Sequence, residues 1–166
     1  MTPTILSLYS DCDAVYKSGK TKSGIYYVTP IYSSSSIPVY CDMDTPPGGW
    51  LVIQRRHDGA TDFNRNWADY RAGFGAVGHD VWLGLDAIFL FTNQDSYELR
   101  VDVWDFNDSR VQATYGSFYV DGERDGYRLH VGNHSGSLPD GLRHHDGMQF
   151  RFFELIYLPL TCHHQY

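Results

Sequence analysis

Residues 97 to 103 alternate without a break: Tyr97, Leu99, Val101 and Val103 fall on one side, Glu98, Arg100 and Asp102 on the other. A period of two is the mark of a strand with one face on a core and one towards water. Its backbone groups need partners on both sides, so this segment commits the chain to a sheet. Two later runs, VQATYGSFYV from Val111 and YRLHVGN from Tyr127, read as further strands joined by the turn DGERDG.

The first half supplies shorter elements. In DCDAVYKSGKTKSG, Asp11 is placed to cap a short helix running to Lys17, with Gly19 as its stop. The β-branched and aromatic runs GIYYVTP and IPVYCDM flank the serine-rich loop YSSSS and predict a hairpin. TPPGG is a turn, and WLVIQRR after it is apolar on both faces near its start, which predicts one central strand. Between NWADYRAGFG and DAIFLFTNQ the pattern loosens into short helices and glycine-bounded loops. There Trp67, Tyr70 and Phe74 recur at helical spacing, as core residues would. No internal repeat or linker interrupts the chain.

At 166 residues the chain has the length of one domain with one core. Its 13 basic and 20 acidic side chains leave a charge of −7, whose field repels phosphate backbones and anionic membranes, so nucleic acid is not an expected partner. No run of about 18 apolar residues exists, which excludes a helical membrane span. The N-terminal stretch MTPTILSLYSDC lacks the basic and apolar regions of a signal peptide. Three cysteines, Cys12, Cys41 and Cys162, make at most one internal bridge and one leftover thiol. The sequons Asn107-Asp108-Ser109 and Asn133-His134-Ser135 are glycosylation candidates in a secretory setting. Together with a bridge they point to an extracellular domain cut from a longer secreted protein.

Motifs of catalysis and metal binding fail on spacing. Gly73, Gly75 and Gly78 match the dinucleotide fingerprint, but a helical stretch precedes them and no helix follows, the reverse of what a pyrophosphate site needs. The pairs His144-His145 and His163-His164 are adjacent, so their side chains diverge, and they read as polar loops rather than zinc ligands. GNHSG around Ser135 brings its second glycine one place early for a nucleophile elbow. The acidic stretches DFNDS and DGERDG do not match a calcium loop and read as turns. The expectation is a protein with no enzymatic activity, no metal and no cofactor.

The segments DCDAVYKSGKTKSGIYYV, VYCDMDTPPGGWLVIQRRHDG, DFNRNWADYRAGFG, VWLGLDAI, YELRVDV and YRLHVGNHSG resemble, in order, a fibrinogen C-terminal domain. That resemblance covers residues 11 to 150. It implies an α+β fold: an N-terminal subdomain over residues 11–49 closed by Cys12–Cys41, then a central subdomain over residues 50–150 with a twisted, mainly antiparallel sheet and short helices. It also implies a secreted, non-enzymatic recognition module. The leading expectation is lectin-like binding of acetylated sugars or microbial surface ligands in innate immunity. The alternative is a protein-interaction or matrix module of the tenascin or angiopoietin kind, which binds a protein receptor.

After HDGMQF the chain departs from the family pattern. Residues 151–166, RFFELIYLPLTCHHQY, hold no counterpart of the family's aspartate-rich calcium loop, so the calcium- and ligand-binding subdomain is expected to be missing or replaced. Cys162 and His163 are similar to the Cys-His element beside the family's acetyl-group pocket and are the ligand-binding candidates. Phe150, Phe152, Glu154, Ile156 and Leu158 alternate with Arg151, Phe153, Leu155 and Tyr157, a strand apolar on both faces apart from two charges. Its first half is expected to complete the central sheet. The rest, beside the Cys162 thiol, is a route to oligomers, as are upstream segments of a longer protein.

Overall fold

A computed structural model describes residues 8–151 and the backbone of residues 163–165. Asp11 caps helix α1 (Cys12–Lys17), its carboxylate accepting the Ala14 amide at 2.8 Å, and Gly19 ends it in the left-handed region. The predicted hairpin follows as β1 (Gly24–Val28) and β2 (Ile37–Asp42), antiparallel, with Ile25 opposite Tyr40 and Tyr27 opposite Pro38.

The single strand expected from WLVIQRR is split, which corrects that reading. Its first two residues form β3 (Trp50–Leu51) on the edge of β2; two others form β4 (Gln54–Arg55) in the second sheet. Val52 and Ile53 make the crossing: the Val52 amide bonds the Tyr40 carbonyl, and the Ile53 carbonyl takes the Leu83 amide. The apolar faces that suggested a long strand belong to a segment handed from one sheet to the other.

The small sheet therefore has the order β1-β2-β3. The larger one gathers β4, β5 (Phe74–Gly75), β6 (Val81–Trp82), β7 (Leu99–Trp104), β8 (Arg110–Val120), β9 (Leu129–Gly136) and β10 (His163–Gln165) in the order β5-β6-β4-β10-β7-β8-β9. Every described pairing is antiparallel. Helices α2 (Trp67–Ala72) and α3 (Leu85–Thr92) pack beside it. The glycine triplet is the β5–β6 hairpin: a Cβ on Gly73 would lie 2.5 Å from the Leu83 carbonyl oxygen and one on Gly75 would lie 2.2 Å from that of Asp80. These glycines let two backbones touch, so a nucleotide is not needed to explain them.

Two apolar clusters hold the molecule. Cys12, Val15, Val28, Val39 and Cys41 pack with Met43 and Phe91 of α3, and the Cys12–Cys41 bridge lies inside this cluster with its Cα atoms 5.4 Å apart. The second, beneath the larger sheet, is built on Trp82, Leu85, Ile88, Leu99, Tyr115, Phe118 and Tyr127. Trp67 is not among the buried residues, which corrects the aromatic stripe: Tyr70 and Phe74 pack against the cluster, while Trp67 lies at its exposed rim. Asp102 is the other correction. Its face was expected to meet water, yet its carboxylate is buried between Arg100 and Arg110, at 2.8 and 2.7 Å.

Residues 152–162 lie outside the described residues, and with them most of the strand expected after Phe150. The described strand between β4 and β7 is His163–Gln165, with His163 opposite Trp104 and Gln165 opposite both Asp102 and Arg55.

Candidate interaction surface

Strand alternation sorts the first hairpin into two faces. Val28, Val39 and Cys41 enter the core; Ile25 and Tyr27 point away from it and are 55% and 64% exposed. Their cross-strand partners Tyr40 and Pro38 share that outer face; in the connecting loop Ile31 and Tyr32 are also exposed, at 63% and 74%. The Arg55 guanidinium carbon sits 5.4 Å from the centre of the Tyr40 ring, and Arg55 also donates to the Gly78 carbonyl at 3.1 Å. One aliphatic and aromatic face thus runs from the small sheet to the edge of the larger one, with an arginine beside it. Tyrosine and arginine beside exposed aliphatics is the composition of protein-binding surfaces. The reading of the sequence saw the strand but not this face. Its signal was the unbroken run Ile25-Tyr26-Tyr27-Val28, apolar on both sides in a hairpin that one core can cover on one side only.

A second feature lies where the resemblance ends. Phe150 packs its ring against Trp82, Tyr70 and Trp67, with centroids about 6 Å away in each case. Beside it an open cleft of about 380 Å³ is lined by Arg128, Gly147, Met148, Gln149 and Arg151. Arg128 donates to the Gly147 carbonyl. Nearby on the β8–β9 ladder, Tyr119 and His130 stack with centroids 4.3 Å apart, and the His130 ring meets the Asp121 carboxylate at 2.9 Å.

The remaining polar groups hold structure together. Burial works against charge on Asp80, yet the amides of His57, Asp58 and Thr61 outweigh it and, with the charge of Arg56, keep this carboxyl below its ordinary range. The loop after β4 is wrapped around that one side chain. Tyr127, buried and at a positive φ of 49°, donates to Asp86, whose other oxygen accepts from Arg71 at 3.1 Å. Burial and that bond push the Tyr127 hydroxyl well above the usual phenol range.

The predicted site residues are dispersed. Cys12 and Cys41 form the disulfide. Asn107 is at the tip of the β7–β8 hairpin, and Asn133 is within β9 at a φ of 58°; both are exposed. Cys162 lies outside the described residues, and His163 opens β10. Among the described residues no three His, Cys, Asp or Glu side chains converge as ion ligands, and no helix is long and apolar enough to cross a membrane. In DFNDS the Asp105 carboxylate accepts the amides of Asn107 and Ser109, which is turn chemistry.

Comparison with known proteins agrees with this architecture. The family model of the C-terminal globular domain of fibrinogen beta and gamma chains matches residues 8–155. Human fibroleukin is 47% identical over 148 residues, covering 88% of this chain and 34% of the relative. Bovine angiopoietin-related protein 1 is 41% identical over 142 residues, 86% of this chain and 29% of that one. The chain thus spans about a third of the length of these curated relatives. The solved fibrinogen-like globe domain of human ANGPTL2 superposes with a TM-score of 0.84 at 40% identity, over 86% of this chain and 66% of that structure. With the family model matched along nearly all of its described length, the chain belongs to the fibrinogen C-terminal globular domain family.

Proposed function

We propose that this chain is an extracellular protein-interaction module, without catalytic activity of its own, that engages a protein receptor through the outer face of its first hairpin. The observation that carries this reading is the exposed face of Ile25 and Tyr27, flanked by Tyr40 and Arg55. The likeness to fibroleukin and an angiopoietin-related protein supports it, and the Cys12–Cys41 bridge supports an oxidising compartment. The test is binding of the secreted domain to cells of its own source, with Ile25→Glu and Tyr27→Glu compared with the unaltered chain. Loss of binding by both variants, at unchanged melting temperature, is the expected result.

A second reading, recognition of acetylated sugars, rests on the resemblance of Cys162-His163 to the family's Cys-His element. Retention on immobilised N-acetylglucosamine, released by free sugar and indifferent to Ile25→Glu, would favour it over the protein-receptor reading.

A further inference from the structure

The hairpin joining β7 to β8 carries an apolar side chain that the described protein leaves in water. Phe106 is 95% exposed at its tip. The backbone beneath it is tightly specified: the Asp105 amide bonds the Ser109 carbonyl at 3.0 Å, and the Asp108 amide bonds the Asp105 carbonyl at 3.1 Å. The Asp105 carboxylate takes the amides of Asn107 and Ser109 at 2.8 and 2.9 Å, and Asp108 adopts a positive φ of 58°. Such a turn followed by a left-handed residue holds its central side chains, Phe106 and Asn107, side by side and outward. Asn107-Asp108-Ser109 is also a sequon.

We propose that Asn107 carries an N-linked glycan whose first sugar lies against the Phe106 ring. A pyranose presents polarised C–H groups on one face, and an aromatic ring presents a negative one, so the two attract as well as exclude water. The linkage forms between the Asn107 amide nitrogen and the anomeric carbon of N-acetylglucosamine, with a lipid-linked pyrophosphate oligosaccharide as donor and the lipid pyrophosphate as leaving group. Asn133 differs in its surroundings. It lies in the β8–β9 ladder between the paired residues Gly132 and His134, opposite Gly116, where an added Cβ would come within 3.2 Å of its own. No exposed ring adjoins it in the chain.

The proposal rests on the extracellular reading, and the experiment separates the two. The full chain, behind an added secretion leader and carrying Asn133→Gln, is made in mammalian cells, and glycopeptides are mapped on secreted and retained material alike. Glycan on Asn107 is expected, and its enzymatic removal should lower the melting temperature by about 2 °C. That drop should vanish with Phe106→Ala, which isolates the ring–sugar coupling. An unmodified Asn107, or an equal drop with and without the ring, overturns the proposal. Because the leader enforces entry, neither result bears on the natural compartment. Finding the native protein in the cytosol with Cys12 and Cys41 reduced would instead defeat the extracellular reading.

Discussion

Asp11 and Tyr97, 86 positions apart, meet at 2.6 Å: the Tyr97 hydroxyl donates to one carboxylate oxygen of Asp11 while the other oxygen caps helix α1. Gln94 adds a bond to the Tyr97 hydroxyl at 2.7 Å and one to the Ser10 carbonyl at 3.4 Å. One carboxylate therefore ties the start of helix α1 to the segment that leads into β7.

Asp11→Ala should cost about 2 kcal/mol, a helix cap plus a charged hydrogen bond, and Tyr97→Phe about 1 kcal/mol. Urea denaturation of both and of the double variant should reveal coupling; strict additivity would mean that the bond contributes nothing. Burial first, and then the bond to Asp11, raises the Tyr97 hydroxyl far above the usual phenol value. A raised folded value stabilises fully below the unfolded value of about 10 and is lost as pH climbs beyond it. Ultraviolet titration should accordingly find Tyr97 and Tyr127 ionising only with alkaline unfolding, and both ionising in the folded protein near pH 10 would refute this.

Asp80 gives the acid counterpart. Its folded value lies below the ordinary 3.8, so its contribution is complete above that value and fades as pH falls through the lower one. Asp80→Asn turns an amide group towards donors that need an acceptor, at a cost of about 2–3 kcal/mol at neutral pH. Limited proteolysis should then cut within residues 57–61. A variant as resistant as the parent would show that the loop does not depend on this carboxylate.

Phe150→Ala should destabilise by about 2–3 kcal/mol, less than a fully buried phenylalanine because its ring is half-buried against Trp82, Tyr70 and Trp67. Phe150→Leu should recover most of it. Thermal melts that do not distinguish the three proteins would mean that the chain is not anchored at this ring.

Thiol titration of the unfolded, unreduced chain should find one reactive group, since Cys12 and Cys41 are bonded. Reduction should cost about 3–4 kcal/mol for a closed loop of this length.

Melting of this chain should be indifferent to a calcium chelator, because its residues 151–166 hold no aspartate-rich loop. A rise of several degrees with added calcium would place a site among these residues after all.

Much of the fold was legible in local chemistry. The Asp11 cap, the Gly19 stop and the serine-rich hairpin loop were correct because each depends on groups a few residues apart. The strand β7 forms where the alternation predicts one, although its burial does not alternate. The order of motifs was enough to identify the family. What the tertiary structure decided were relations between distant segments. WLVIQRR has the composition of one strand, but competing edges at Tyr40 and Leu83 divide it between two sheets. Asp102 sits on a face that reads as polar and exposed, yet two arginines from neighbouring positions neutralise it, so it can be buried. Ile25 and Tyr27 show the opposite case. Their hydrophobicity is local, but whether a second layer covers them is a property of the whole assembly, and here the core lies on the other side of the hairpin.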